Sequence, residues 1–556
     1  MITRRRALQG GGLIAASALL AACGARGGTL PSDSQAVGHT DINPQPRDRV
    51  RDGGTLRMPL SGLPDNFNYN EYDGSSVTVI DLSRATLPYP FVATADGGMR
   101  LNTDFFTSIE VTSQAPQVVT YTVHPKATWS DGTPVNWRDF EAMWRALNNT
   151  DPAYLVAGTV GYSDIASVTR GADDKQAVVT FARPYGEWRG LFDPFTPASL
   201  NSSPQAFNTA WKTGMPVTAG PFTIASVDRT SQTITLKRDP RWWGTPPKLD
   251  QILYRGMDLA AAPDALANDE IDFFETGSSI DSFRRAQSTP GVQIRNAPSR
   301  TYNCLILNGA PGAPLADLPV RRAVHQAVDR AALTQRLVGG MIPNAATDGN
   351  HIYVPGDKAY RDNSDALPFD RAAANRALDE LGWVRGGVLR QKAGKTLRLR
   401  IVYFQADTNT LVAQTIQNHL NQIGVDAQLV SMPGNQIGTT ISTGNFDIAV
   451  TGWGSTTTPL SSSVGLFQSP SGNNVRQNYG RISSPRIDEL FTRAIAELDD
   501  GKRADLGNQI DRLVWAEAHT IPLYPRPGTV AVRTNLANFG ATGLAEKNYV
   551  NAGFVK

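Results

Sequence analysis

A chain of 556 residues with 40% hydrophobic and 19% charged side chains is ordinary globular material, too long for one compact core and suited to two or three domains. Its formal charge of +2 includes Arg4, Arg5 and Arg6, which lie in a segment that reads as cleavable, and without them it becomes −1. No basic tract or stripe runs through the chain, which argues against nucleic acid as a partner.

The first residues, MITRRRALQGGGLIAASALLAAC, join a charged start to an apolar run from Leu13 to Leu20 and small residues ending at Cys23. This is the pattern of an export signal. Leu20-Ala21-Ala22-Cys23 resembles a bacterial lipobox, in which the cysteine becomes the lipidated first residue, and Thr3-Arg4-Arg5-Arg6-Ala7-Leu8 is similar to a twin-arginine motif. The apolar run is too short to span a bilayer well and nothing later is long and apolar enough to try. The expectation is a lipid anchor at Cys23 holding the protein on the extracytoplasmic face of a bacterial cell membrane. The other cysteine, Cys304, is then left without an intramolecular partner, so no disulfide framework and no cysteine metal site are expected. Residues 24–54 are rich in Gly, Ser, Pro, Asp, Gln and Arg and read as a flexible tether.

The folded body opens with a short strand, Thr55 to Leu60, then a Gly/Pro/Asn/Asp-rich loop and a helix from Ser76. Strand, polar loop and helix make one candidate wall of a cleft, with Asp73, Gly74 and Ser75 in the loop. Alternating runs at 108–111 and 118–123 predict a hairpin. An Asp131-Gly132 turn then leads into a helix with Trp137, Phe140, Met143, Trp144 and Leu147 at helical spacing, most simply core residues. Further on, Phe446, Ile448, Ala449 and Val450 form an apolar run of strand length that breaks into Gly452-Trp453-Gly454 and a row of hydroxyl residues. A strand ends in a loop there, and the carboxyl ends of strands in open α/β sheets are where ligands sit. Glycines flanking an indole let another backbone come close while Trp453 supplies a flat apolar wall. The same pattern also fits a core tryptophan followed by a Ser/Thr turn.

The tract YTVHPKATWSDGTPVNWRDF, Tyr121 to Phe140, resembles the signature region of the family 5, oligopeptide/dipeptide-type, extracytoplasmic solute-binding proteins of ABC importers. Similar marks follow in order: Ala219-Gly220-Pro221-Phe222, Asp239-Pro240-Arg241-Trp242-Trp243, Val320 to Arg330, Ala374 to Trp383, FDIAVTGWG and Ile521-Pro522-Leu523-Tyr524. The resemblance implies an α/β, two-lobed periplasmic-binding-protein fold of type II with an extra subdomain inserted in lobe I. Lobe I would comprise 55–86, 215–300 and 522–556, the inserted subdomain 87–214, and lobe II 301–521. It also implies a monomer that binds an oligopeptide in the cleft between lobes and delivers it to ABC permease subunits with a cytoplasmic ATPase. Backbone groups of Ser75, Gly452 and Gly454 would pair with an extended ligand, and Trp453 would line a side-chain pocket.

Six scattered histidines lack metal-ligand spacing, and neither Gly394-Lys395-Thr396 nor Gly161-Tyr162-Ser163 completes a phosphate loop or nucleophile elbow. No cofactor, metal or catalytic constellation is expected. One departure from the family pattern stands out. An acid commonly lies three residues after the tryptophan and holds the ligand's ammonium, whereas Trp453-Gly454-Ser455-Thr456 puts threonine there. Either another acid such as Asp447 or Asp73 does this work, or the ligand is N-blocked or cyclic, or it is not a peptide. The hydroxyl row Ser455 to Thr458 with Ser461 to Ser463 would suit an oligosaccharide or glycoconjugate, and a regulatory lipoprotein of envelope assembly is a further alternative.

Overall fold

The computed structural model describes residues 36–342, 345–472 and 474–556. The expected export signal, Cys23 and the first part of the expected tether lie outside the described residues.

Alternation of apolar and polar side chains lets a strand bury one face, and in Thr55–Leu60 the buried residues are Leu56, Met58 and Leu60. This strand pairs in parallel with Gln251–Gly256, and Thr233–Arg238 and Phe222–Asp228 complete a four-stranded sheet. A second four-stranded sheet, wholly antiparallel, runs in the order Phe106–Gln114, Gln117–Val123, Gln176–Phe181, Ile165–Arg170. The Trp137–Leu147 helix packs on it through Phe140, Met143 and Leu147, and opens with a capping box between Asn136 and Asp139. Both sheets contribute to one hydrophobic cluster.

From Thr301 the chain builds a mixed five-stranded sheet in the order Asp426–Met432, Arg398–Phe404, Ile448–Gly454, Thr301–Leu307, Thr520–Pro525. Leu305, Leu307 and Val450 face a large helix-covered cluster on one side, while Ile306, Val402 and Ala449 face Ile441 and Phe446 on the other. This is the layered packing that the strand and helix alternation calls for. A three-stranded sheet combines Phe273–Glu275 and Val292–Ala297, which precede the five-stranded sheet along the chain, with Gly528–Arg533, which follows it. The chain passes from it to the five-stranded sheet at 298–300 and returns at 526–527. Arg526 N donates to Thr301 O at 2.9 Å, so the two connections run side by side.

The expected tether to residue 54 needs correction over its second half. Asp41 and Ala541 exchange backbone hydrogen bonds, Arg51 N donates to Phe554 O at 2.9 Å, and Val50 is fully buried. The polar composition of 39–54 misleads because its partners are distant in sequence: Asn296 O for His39, Lys248 O for Gly53 N, and backbone groups of Ala541, Val550 and Phe554 about 500 positions away.

Candidate functional site

The Ile448–Gly454 strand has two neighbours that run unequal distances beside it. Thr301–Leu307 pairs with its whole length, from Leu307 opposite Ile448 to Thr301 opposite Gly454. Arg398–Phe404 pairs with it only from Ile401 opposite Ile448 to Tyr403 opposite Val450. Thr451 to Gly454 therefore carry one satisfied edge and one open edge, at the carboxyl end of the strand. Ser455 N continues the satisfied ladder by donating to Arg300 O at 2.7 Å. Inward and outward groups alternate along an antiparallel pair, so Thr451 and Trp453 also aim their backbone groups at Thr301–Leu307. By the same alternation Gly452 and Gly454 turn their N–H and C=O groups to the open edge.

Around that edge the side chains divide between packing and exposure. Trp453 is half-buried, touches three separate hydrophobic clusters and stacks on Tyr479, with centroids 6.2 Å apart and planes at 23°. Gly452 has no room for a side chain, because a Cβ there would stand 2.7 Å from Arg526 Nη2 and 2.9 Å from Tyr302 O. A Cβ on Gly454 would meet only Thr301 Cγ2, at 3.5 Å. Ser455 Oγ donates to Ile352 O at 3.2 Å, and Thr456 Oγ1 accepts from Thr458 N at 3.1 Å. Arg300 braces this turn by donating from Nη1 to Thr456 O at 3.1 Å and from Nη2 to Leu544 O at 2.7 Å. Burial pushes its guanidinium below the usual arginine range.

The hydroxyl row is largely committed. Ser461 Oγ lies 2.9 Å from Tyr185 OH, and Ser462 and Ser463 both donate back to Pro459 O. These bonds occupy the hydroxyl hydrogens of Ser462 and Ser463 and leave oxygen lone pairs as acceptors.

On the other candidate wall, buried Glu71 organises the loop by accepting from Asn66 Nδ2 at 2.9 Å, Asp73 N at 2.9 Å and Gly74 N at 3.2 Å. Burial pushes its carboxyl upward. Asp73 and Ser75 sit exposed on the tip, and Ser76 caps the Val77–Thr86 helix by accepting from Val79 N. Among the described residues no hydrogen bond or ion pair joins Asp73 or Ser75 to Gly452 through Thr456. Gly452 to Thr456 are contiguous at one strand end, and Asp73 and Ser75 make no direct bond to them. Asp447 is no substitute for the absent acid: it is 6% exposed, bonded to Arg400 N at 2.8 Å, and precedes the strand at the end away from Gly454.

Three functional candidates were not visible in the sequence. Arg526 and Arg300 flank the two chain connections, and Glu187 reaches the helix that follows Thr458. Arg526 sits within Pro525-Arg526-Pro527-Gly528, which reads only as a turn, so no sequence signal marks it.

Known proteins share the sequence pattern and the fold of this chain. The sequence model of the bacterial extracellular solute-binding proteins, family 5 Middle, matches residues 100–475. The oligopeptide-binding protein OppA of Mycobacterium tuberculosis strain H37Rv is 44% identical over 526 residues, 94% of this chain and 88% of the relative. In structure, the periplasmic EDTA-binding protein EppA superposes with a TM-score of 0.84 at 24% identity over 96% of this chain and 100% of its own. AppA from Bacillus subtilis, in complex with a nonapeptide, gives 0.72 at 19% identity over 91% of this chain and 100% of its own.

Proposed function

Because the chain belongs to family 5 of the bacterial extracellular solute-binding proteins and has their two-lobed α/β type II fold, we propose that it captures an oligopeptide in the cleft between lobes and delivers it to an ABC permease. The open edge of Thr451 to Gly454 carries this reading. Two outward-facing glycines offer unpaired donors and acceptors to an extended backbone, which gives affinity without selecting side chains. Trp453 would wall one side-chain pocket, Ser455 and Thr456 would border the end of the ligand, and the Asp73–Ser75 loop would meet it from the other lobe. In this reading 55–86, 215–300 and 522–556 form lobe I with 87–214 inserted, 301–521 forms lobe II, and closure bends the paired connections at 298–300 and 526–527. The protein works as a monomer outside the cytoplasm, held by lipid on Cys23, and binds without turning over its ligand.

Native mass spectrometry of the full chain in detergent tests the proposal by weighing and fragmenting what co-purifies. A ladder of peptide masses is expected. A single non-peptide mass would overturn it, as would failure of a defined peptide library to bind the emptied protein.

A further inference from the structure

Resting on that reading, we propose that Arg526 and Asn303 form a subsite for a carboxylate of the bound ligand, so that the cleft recognises a negative charge where an acid for the ammonium is lacking. Arg526 leaves the Thr520–Pro525 strand at the return connection, crosses the neighbouring strand, and donates from Nε to Asn303 Oδ1 at 2.9 Å. Its Nη2 is thereby carried over Gly452, where a Cβ would lie only 2.7 Å away. The missing side chain at 452 does two things at once: it leaves the backbone edge approachable and makes room for this guanidinium.

The guanidinium has no counter-ion of its own. Arg526 is exposed, and among the described residues no carboxylate oxygen stands within 4.0 Å of it. Its Nη groups likewise find no acceptor among those residues. Beside it, Tyr524 pairs with Asn303 across the sheet and is fully buried. The exposed guanidinium therefore holds N–H donors without an acceptor beside Gly452, at the strand whose edge is open. A ligand strand pairing there would lie about 4.8 Å beyond Gly452, within reach of an arginine side chain. The planar fork of a guanidinium matches a carboxylate with two parallel N–H bonds, which an ammonium cannot do. The carboxylate can be the ligand's C-terminus or an Asp or Glu side chain, and both present the same chemistry to the fork.

The test is calorimetry on the full chain in detergent with three probes: hexa-alanine with free ends, its C-terminal amide, and the amide with one central Ala replaced by Asp. Whichever carboxylate is used, one of the two carboxylate-bearing probes should bind about tenfold or more tightly than the neutral amide, and the better of the two names the source. Arg526→Gln should abolish the difference while leaving amide binding in place, and Arg526→Lys, which keeps the charge without the fork, should restore only part of it. Equal binding of all three probes by the wild type would overturn the carboxylate subsite and leave peptide capture standing. Loss of affinity for every probe alike in both variants would overturn it too, marking Arg526 as a brace of the connections. Binding of none of the probes would remove the peptide reading and the subsite together.

Discussion

The buried carboxylate of Glu187 accepts the first free amides of the Pro459–Phe467 helix, Leu460 N at 3.0 Å and Ser461 N at 2.7 Å. Tyr185 OH and Ser461 Oγ add a contact at 2.9 Å, and Gly186 N donates to Ile495 O at 2.6 Å. Negative charge at a helix start is favourable, and the amide bonds offset part of the burial that pushes this carboxyl upward. Residues 185–187 and 460–495 belong to opposite proposed lobes, so the contact exists only while these are together. Glu187→Ala leaves two amides without a partner, at about 1–3 kcal/mol. Small-angle scattering should show a larger radius of gyration, and peptide affinity should fall by about tenfold. An unchanged radius and affinity would mean that this contact plays no part in closure.

Gly454→Pro tests the open edge directly. The amide it removes is one that the Thr301–Leu307 strand does not use, and the nearest atom to an added Cβ is Thr301 Cγ2 at 3.5 Å. Proline is tolerated where the N–H faces outward. Thermal stability should move by only a few degrees while peptide affinity drops by about tenfold, one charge-neutral hydrogen bond and its neighbours being lost. Retained affinity would place the ligand elsewhere.

Much of this site was legible in Phe446 to Pro459. An apolar run of strand length followed by Gly-Trp-Gly predicts a strand that breaks into a loop at Gly452, whereas the strand runs on through Gly454 and the loop is Ser455 to Thr458. The helix from Ser76 and the hairpin at 108–123 were legible for the same reason, since their signals are local periodicity and a cap. What was not legible depends on distant pairing. Only the register shows that Arg398–Phe404 stops at Tyr403 and leaves an edge open. Arg526 meets Gly452 across 74 positions, and composition cannot reveal such a meeting. The stretch from His39 to Gly54 is hidden for the same reason, a polar segment held by partners distant in sequence, Asn296 for His39 and Ala541 for Asp41.

Trp453 combines packing with exposure, so its removal should affect both properties. Trp453→Ala strips contacts from three clusters and from Tyr479, costing about 2–4 kcal/mol, visible as a lower denaturation midpoint. Ligand affinity should fall further than stability alone explains, because the variant remains folded at 25 °C. Trp453→Phe should recover most of the stability and part of the affinity. If affinity is unaffected in the folded variant, the indole is a core residue and no pocket wall.

His519 sets an acid limit on stability. Burial holds its imidazole down to about 3 from 6.5, with Nε2 beside Asn478 Oδ1 and Nδ1 beside Thr520 Oγ1. The unfolded chain takes up the proton below pH 6.5 and the folded one refuses it to about pH 3, so stability is intact above that window and lost as pH falls through it. The slope is about 1.4 kcal/mol per pH unit. Buried His325 acts in the same direction, whereas buried Asp348, whose carboxyl is pushed up, acts in the opposite one. The comparison is therefore the slope of wild type against His519→Gln in urea titrations from pH 6.5 to 4.5. The variant should lose stability less steeply by about that amount per unit, and identical slopes would show that His519 titrates normally.

Thr456→Asp asks where the ligand's amino terminus lies. The threonine hydroxyl accepts from Thr458 N, and an aspartate oxygen can accept the same bond in an equivalent turn, so the fold should be retained. The substitution adds a charge at an exposed position beside the open edge, with Arg300 bracing the backbone from behind. Free hexa-alanine should then gain affinity over its N-acetylated form by about five- to twentyfold, since bonds to ionised groups are roughly twice as strong as neutral ones. In the wild type the two forms should bind alike, because the hydroxyl offers no charge. A preference already present in the wild type would point to another acid, with Asp73 on the facing loop the first to replace. No preference in either protein would place the amino terminus away from Thr456 and reverse the direction in which the ligand runs along Gly452 and Gly454.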